Sequence, residues 1–279
     1  MSTQPRQGAL DLEAHEWGSA PEFYGPRHDY REALMLRALL PTLPGPRVLN
    51  AGCGAGSLTL RMLDAGLEVT SVDASEAFVG RLRQIVAGRA PGPGRAAAIA
   101  VGDLHALDFP DGSFDGVVCG EVLEHLDDDG LAMREFARVL APGGVAVATV
   151  PANPWRYDWL DHWAGHRRRY TPEAMQERLQ EAGFDEVRVA SWGFPLTGLY
   201  HRRLFMPLLR RRLSADAGRP PGRPGRALRA TFPLVRAALE LDSLFMGRRP
   251  GYFGLIAWSR TPAGSGPPPP APRLLERRR

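Results

Sequence analysis

The chain has 279 residues, 44% of them hydrophobic and 24% charged, with a formal net charge of +4. This composition excludes a wholly disordered chain and provides enough apolar side chains for a domain-sized core. Two cysteines, Cys53 and Cys119, are too few for a disulfide framework, and no apolar run reaches the roughly 18 residues of a membrane-spanning helix.

The charge is unevenly distributed along the chain. All 35 basic residues are arginine, and 17 of them lie from His201 onward, where only four acidic residues occur. Such a segment would suit an anionic partner, although a coding bias toward arginine explains the same excess. The first residues lack the pattern of a secretory signal, so we expect a cytoplasmic setting, with contact at the membrane periphery left open.

Helix and strand patterns alternate through the first half of the chain. Predicted helices lie at 31–40, 57–66, 75–88 and 131–144. Predicted strands lie at 47–51, 67–73, 96–103, after the Asp111–Gly112 turn, and at 145–151. Alternation at this spacing predicts a mostly parallel sheet with helices on both faces. We expect residues 1–46 to form N-terminal helices that cap the site or close over it, followed by a core domain at 47–194.

The regular alternation of helix and strand patterns ends after Pro151. A helix is predicted from Pro172, with Thr171 as its N-cap and Gly183 as its stop, followed by a strand at 185–194. Residues 195–249 are predicted to form a helical insertion that serves as a cap, a membrane-peripheral segment or a dimer contact, with the cap preferred. Residues 250–260 then supply the final core strand, and the proline-rich basic tail at 261–279 is expected to be disordered.

A glycine-rich turn follows the first strand. Gly52, Gly54 and Gly56 would let a nucleotide-bearing ligand approach the backbone, and Asp73 ends the second strand, where an acid can accept hydrogen bonds from ribose hydroxyls. This combination also fits enzymes that bind dinucleotides.

The series "VLNAGCGAG", "VTSVDAS", "VGDLHALDFPDGSFDGVVCGEVLEHL" and "RVLAPGGVAVATVP" resembles the class I S-adenosylmethionine-dependent methyltransferases, over roughly residues 47–151. The resemblance implies a Rossmann-like seven-stranded sheet with an antiparallel last strand and S-adenosylmethionine as cofactor. The family usually has an acid at the position of Asn50. The cofactor-binding residues that it implies are Asn50, Gly52, Cys53, Gly54, Gly56, Asp73, Ala74, Asp103, Leu104 and Glu121.

Candidate catalytic residues follow the fourth and fifth strands. If the first group forms a short helical turn, Glu124 and His125 can share one face with Glu121, and His166 could converge on them. Glu121, Glu124, His125 and His166 also resemble a divalent-metal set of some O-methyltransferases, which would suit Mg²⁺ or a softer ion. The alternative is that Glu121 contacts the cofactor and that His125 only caps or packs.

The acceptor is expected to be a small molecule methylated on an oxygen of a phenol, quinone precursor or secondary metabolite. An apolar pocket for it could be formed by Trp155, Tyr157, Trp159 and Trp163, and a lid by Tyr24, Arg27 and Tyr30. A membrane-peripheral lipid or quinone methyltransferase, an RNA 2′-O-methyltransferase and a non-catalytic cofactor-binding module are the alternatives. Nucleic acid is not expected as a partner, because no recognised nucleic-acid-binding module is present.

Overall fold

A computed structural model describes residues 25–89, 97–208, 230–247 and 253–263, together with Pro272 and Leu275. Predictions that fall on residues 1–24, on most of the insertion's middle and on most of the tail lie outside the described residues. The strands are β1 Arg47–Ala51, β2 Glu68–Asp73, β3 Ala97–Val101, β4 Phe114–Gly120, β5 Leu140–Pro151, β6 Glu186–Trp192 and β7 Gly254–Arg260. The helices are α1 Pro26–Leu39, α2 Ser57–Asp64, α3 Glu76–Ala87, α4 Asp129–Val139, α5 Trp159–Ala164, α6 Pro172–Glu181, α7 Leu196–Tyr200 and α8 Phe232–Glu240.

The seven strands form one sheet in the order β3-β2-β1-β4-β5-β7-β6. All pairs are parallel except those of β7, which runs antiparallel to both β5 and β6. The predicted fold class is therefore confirmed. The carboxyl ends of β1, β2, β4 and β5 meet at one edge of the sheet, which is where open α/β sheets bind ligands.

Helices cover both faces because side chains of the inner strands alternate between two apolar cores. Val48 belongs to the core beside α1, α2 and α8, whereas Leu49 belongs to the core beside α4 and α6. Nearly every residue of β4 and β5 is buried, as expected for central strands of a two-sided sheet.

Three local predictions need correction. The predicted helix at 131–144 ends at Val139, and Leu140 already pairs with Phe114, so the Pro142–Gly144 segment lies in β5 instead of closing the helix. A short 3₁₀ turn at Pro154–Arg156 and helix α5 were not predicted from the sequence. The helical pattern of the sequence starts at Tyr200, whereas the first helix of the insertion begins at Leu196 and continues through a wider turn at His201–Phe205.

Helix α8 of the insertion packs on the N-terminal helix α1. Arg37 Nη2 lies 2.7 Å from Glu240 Oε2, and Arg236 Nε lies 3.0 Å from Asp29 Oδ2. Helices α1 and α8 therefore pack together on the same face of the sheet. Within the described part of the chain, no helix is long and apolar enough to cross a bilayer.

Candidate active site

The glycine turn joins β1 to α2 and is shaped by positive φ angles. Gly52, Gly54 and Gly56 have φ of 73°, 50° and 88°, which glycine adopts without steric cost. A Cβ on Gly52 would lie 2.4 Å from Val122 Cγ2, and one on Gly56 would lie 2.2 Å from Leu82 Cδ1. At these two positions glycine is required by the packing of the turn, independently of any ligand.

The carboxylate of Asp73 holds the glycine turn from the end of β2. Its Oδ2 accepts a hydrogen bond from the Gly54 backbone N–H at 2.8 Å, and its Oδ1 accepts one from the Ser75 N–H at 2.9 Å. Each carboxylate oxygen keeps a second lone pair, and the side chain is only partly buried. Asp73 can therefore shape the turn and still accept hydrogen bonds from ribose hydroxyls.

Asn50 lies within β1, and its side chain bonds to helix α2. Its side chain is 2% exposed, and its amide donates to Thr59 Oγ1 at 2.9 Å, which is in turn 2.9 Å from Ser71 Oγ. This buried polar chain connects β1, α2 and β2. The Asn50 side-chain amide thus bonds to Thr59, and its predicted contact with a cofactor stays a prediction.

The remaining residues predicted to bind the adenosine part line the same sheet edge. Ala74 and Asp103 are exposed, whereas Cys53 and Leu104 are buried. Asp103 Oδ1 accepts hydrogen bonds from the backbone N–H and the ring of His105, and these bonds lower the pKa of the Asp103 carboxyl. Neither its exposure nor these bonds prevent Asp103 from meeting an adenine amino group.

Glu121 follows β4 directly and adopts a strained backbone conformation with φ of 58°. Its Oε1 is buried without a hydrogen-bonding partner among the described residues, and its Oε2 lies 3.8 Å from Arg31 Nη1. Arg31 Nε is likewise buried without such a partner. A carboxylate and a guanidinium side by side, each with one atom that lacks a hydrogen-bonding partner, are complementary to the ammonium and carboxylate of an amino acid.

Glu124, His125 and His166 come together beyond Glu121. One ligand-type atom from each lies within 4.8 Å of the others, and Glu121 is not part of that group. Glu124 is fully buried, and neither of its carboxylate oxygens bonds to another described residue. Burial, assisted by the nearby charge of Glu121, raises the pKa of Glu124 well above its ordinary value. Three of the four residues predicted as a metal set are therefore brought together.

His166 is oriented by a carboxylate that sequence reasoning did not identify. Its Nδ1 lies 2.8 Å from Oδ1 of the buried Asp161. Burial alone would raise the pKa of Asp161, but hydrogen bonds from His166 and Arg169 outweigh it and lower that pKa. Because an ionised carboxylate only accepts, His166 Nδ1 donates to Asp161, and Nε2 lies 3.9 Å from Glu124 Oε1. This is the arrangement of both a general base and a metal-ligating histidine.

His125 faces the same cluster from the short turn Leu123–His125. Its Nδ1 lies 3.3 Å from the Gly165 carbonyl oxygen, and its ring is 4.8 Å from that of His166. Burial, and then the neighbouring His166, lower the pKa of His125 to about 4, so the ring is neutral at pH 7. Two imidazoles beside a buried carboxylate fit the donor set of a divalent cation.

The segment predicted as a lid is packed in its described part. Tyr30 is fully buried, with its ring 6.0 Å from that of Trp192, whereas Tyr24 lies outside the described residues. Arg27 Nη1 lies 3.1 Å from His201 Nδ1, and its guanidinium carbon is 4.5 Å from the centre of the Phe253 ring. Burial lowers the pKa of Arg27 to about 10.

Two of the four predicted acceptor-pocket aromatics line a cleft next to this cluster. Trp155 and Tyr157 are among its lining residues, whereas Trp159 and Trp163 are not. The Tyr157 hydroxyl donates to the His166 carbonyl oxygen, and Arg169 Nε donates to Asp161 at 2.8 Å. The cleft and the histidine cluster therefore share a wall.

The residues that sequence reasoning missed belong to this wall. Asp161 completes a capping box with Asp158 at the start of α5, and that spacing was readable from the sequence. Arg169 and His201 offered no comparable signal, because each becomes relevant only through a contact with a distant segment.

Comparison with known proteins bears on this site. Residues 49–148 match a family model described as a methyltransferase domain. Curated relatives include a 2-methyl-6-phytyl-1,4-hydroquinone methyltransferase of a Synechocystis species, 34% identical over 63% of this chain and 59% of its own length. A ubiquinone biosynthesis O-methyltransferase of Pseudomonas aeruginosa is 35% identical over 52% of this chain and 62% of its own length. The chain thus spans about three fifths of these relatives.

Solved structures share the fold. The cyclase SpnF superposes with a TM-score of 0.60 at 24% identity, covering 92% of this chain and 89% of that chain. A phosphoethanolamine N-methyltransferase of Haemonchus contortus, solved with S-adenosyl-L-methionine, gives a TM-score of 0.57 at 19% identity, covering 83% of this chain and 52% of that one. Since a cyclase shares the architecture, the fold by itself does not determine the reaction.

Proposed function

We propose that this chain, whose residues 49–148 form a class I S-adenosylmethionine-dependent methyltransferase domain, transfers a methyl group to an oxygen of a small molecule. A phenol, a quinone precursor or a secondary metabolite is the acceptor class, in line with the quinone-pathway names of two relatives. The observation that carries the proposal is the His166–Asp161 pair, in which Asp161 orients the ring through Nδ1 while Nε2 lies 3.9 Å from Glu124 Oε1. A base so placed can take a hydroxyl proton during transfer.

The cofactor would supply an electrophilic sulfonium methyl group, and this chain's residues would hold it. Asp73 would bind the ribose, Asp103 the adenine amino group, and Gly54 would face the ligand across the turn. Arg31 and Glu121 would bind the carboxylate and the ammonium of its methionine part, because each has an unsatisfied buried polar atom. Glu121 would then serve the role that the family usually gives to an acid at the position of Asn50.

The first test is calorimetric titration with S-adenosylmethionine, its demethylated product and NAD. We expect the first two to bind and NAD to fail, followed by transfer of radiolabelled methyl to members of a catechol and hydroquinone panel. Binding without transfer to any acceptor would favour a non-catalytic module or a cyclase-like reaction. Binding of NAD alone would contradict the proposal.

We also propose that Glu124, His125 and His166 hold a divalent cation, Mg²⁺ or a softer ion. Such a cation would bind and acidify the acceptor oxygen and would satisfy the carboxylate oxygens of Glu124. The test is thermal unfolding of EDTA-treated protein with Mg²⁺ or Mn²⁺ added back. We expect the metal to raise Tm in the wild type and in Glu121→Gln, but not in Glu124→Gln.

The paired variants separate two roles of neighbouring carboxylates. Glu121→Gln should weaken S-adenosylmethionine binding while keeping the metal-induced rise in Tm. Glu124→Gln should abolish the metal-induced rise in Tm while keeping S-adenosylmethionine binding. If neither metal changes the Tm of the wild type, and EDTA leaves turnover unchanged, then His166 acts without a cation.

The insertion is proposed to act as a cap whose outer side contacts a membrane. Apolar side chains that are at least two fifths exposed lie on and around α7 and α8, namely Leu199, Leu204, Leu208, Leu234, Leu241, Leu244 and Phe245. The excess of arginine from His201 onward would favour anionic lipid. Sedimentation with phosphatidylglycerol vesicles, compared with phosphatidylcholine vesicles, tests this contact, and Leu234→Ser with Leu241→Ser should abolish it.

A further inference from the structure

A cleft of about 770 Å³ opens beside the histidine cluster. It lies past the carboxyl end of β5, between the Trp155–Asp158 segment and the first helix of the insertion. Its volume falls within the range of small-molecule sites, roughly 300–1,000 Å³. The lining residues are Trp155, Arg156, Tyr157, Asp158, Arg169, Gly198, His201, Arg202, Met206, Pro207 and Phe253.

The cleft concentrates positive charge. Arg156, Arg169 and Arg202 line it, and the first and last of these form no ion pair with any acid in the described ranges. Burial, and then the proximity of Arg202 and Arg169, lower the pKa of Arg156. Positive charges that line one cleft repel one another, so an anion bound between these arginines would stabilise them there.

The acidic groups among the described residues do not neutralise Arg156 and Arg202. Asp158 is the one acid among the described lining residues, and its Oδ1 accepts a hydrogen bond from the Leu160 backbone N–H as the N-cap of α5. Asp161 is buried behind the wall and bonds to His166 and Arg169. Two guanidinium groups therefore remain available to a ligand.

Aromatic side chains lie in the same cleft. Trp155 is 66% exposed, and Phe253 and Tyr157 also line the space. His201 is neutral at pH 7, because burial, and then Arg27, lower its pKa to about 3. Flat apolar surfaces beside guanidinium groups suit a molecule with an aromatic or apolar body and an anionic end.

We infer that the acceptor carries a carboxylate or phosphate group, held by Arg156 and Arg202, with its body against Trp155 and Phe253. This inference rests on the proposed function, since the shared wall of Tyr157 and Arg169 places the cleft next to the candidate base. It names the substrate class more narrowly than the relatives' names do: an anionic acceptor in place of a neutral phenol or quinone.

The test measures binding of three probes to the full chain by ligand-observed NMR: benzoate, phenyl phosphate and, as the uncharged match, benzyl alcohol. We expect the anions to bind at least about tenfold more tightly than the alcohol, since charge-assisted bonds to arginine are strong. The stronger of the two anions identifies carboxylate or phosphate as the natural group. The Arg156→Gln, Arg202→Gln double variant should remove this preference.

The matched control is Arg203→Gln, because Arg203 follows Arg202 in the chain, is exposed and does not line the cleft. It should bind all three probes within about twofold of the wild type. Equal binding of the anions and benzyl alcohol, or an unchanged preference in the double variant, would overturn the inference.

Methyl-transfer assays keep this result separate from the proposed function. Transfer to neutral phenols without any anion preference rejects the cleft assignment and leaves methyl transfer standing. Arginine-dependent anion binding by a chain that neither binds S-adenosylmethionine nor transfers a methyl group rejects the proposed function, and with it the identity of the bound anion as an acceptor.

Discussion

The glycine-turn half and the histidine-cluster half of the sheet edge are held together by different kinds of contact. In the first, the Asp73 carboxylate is bonded to two backbone N–H groups, and the turn is shaped by glycines. In the second, contacts join residues that are far apart in the chain, such as His125 and the Gly165 carbonyl oxygen, and the buried Glu124 carboxylate has no hydrogen-bonding partner in another described residue. The Asp73 carboxylate is therefore used to hold the turn, whereas the bonding capacity of the Glu124 carboxylate is left over.

The largest effect is expected from a substitution in the glycine-turn half. Asp73→Ala removes the acceptor of two amide hydrogen bonds and of the proposed ribose contacts, so S-adenosylmethionine should bind at least about a hundredfold more weakly, or about 2.7 kcal/mol. Calorimetry measures the loss. Asp103→Ala is the control, because Asp103 is exposed and its side chain bonds only to His105 in the same turn. It should weaken S-adenosylmethionine binding by about tenfold at most.

A substitution in the histidine-cluster half should slow the reaction and leave cofactor binding unchanged. His166→Ala removes the proposed base, and turnover should fall by about a hundredfold while S-adenosylmethionine affinity stays within about twofold. Steady-state kinetics and calorimetry provide the two readouts. His162→Ala is the matched control in α5, since His162 packs against Tyr157 and lies outside the histidine cluster. An equal loss in both variants would point to a structural role for the helix.

The requirement for glycine can be divided into backbone strain and steric overlap. Gly52→Ala combines a φ of 73° with a Cβ 2.4 Å from Val122, and should lower the free energy of unfolding by about 3 kcal/mol. Gly66→Ala has a φ of 84° with nothing within 4 Å of the added Cβ, and should cost about 1 kcal/mol. Urea unfolding measures both. Equal costs would mean that Val122 moves aside freely.

Two half-buried histidines, His28 in α1 and His201 after α7, predict how stability depends on pH. Burial, followed by nearby arginine cations, lowers the pKa of His28 to about 4 and that of His201 to about 3. Because the unfolded chain binds these protons more readily, stability is present above pH 6.5 and is lost as the pH falls toward 4. Each histidine contributes at most about 1.4 kcal/mol per pH unit. Urea midpoints from pH 7 to 5 should fall less steeply in His28→Gln and in His201→Gln than in the wild type.

The smallest effect is expected at Asn50. Its side chain is buried and bonded to Thr59, so Asn50→Asp should change S-adenosylmethionine affinity by less than about threefold. Calorimetry beside Glu121→Gln decides which of the two residues meets the ammonium. A large gain on adding the acid at Asn50 would contradict the assignment to Glu121.

The glycine-turn half was easier to predict from the sequence than the histidine-cluster half. The glycine turn and Asp73 were predictable because backbone geometry dictates the glycines of the turn and because Asp73 ends the strand that pairs with β1. The meeting of Glu124, His125 and His166 was anticipated from resemblance, but the position of Asp161 behind His166 was not. The Leu140–Gly144 segment was misassigned because its extended form depends on pairing with β4, which local helix signals do not reveal.

The cleft could not be predicted because its walls come from segments far apart in the chain. Trp155 and Tyr157 were predicted to line an apolar pocket, yet the folded chain adds Arg156, Arg169 and Arg202. A local sequence window contains no information about which distant arginines will meet. The charge asymmetry from His201 onward was the one available signal, and it was not specific for this site.

The pairing of β6 with β7 makes the insertion replaceable as a unit. Trp192 pairs with Gly254 at the point where the chain leaves and re-enters the sheet, so the two ends of the intervening segment are already neighbours. A short hairpin turn could join them without changing the register of the sheet. Segments of different length and chemistry could therefore be exchanged at this junction during evolution or in chimaeras, which would alter acceptor choice while the cofactor half is inherited intact.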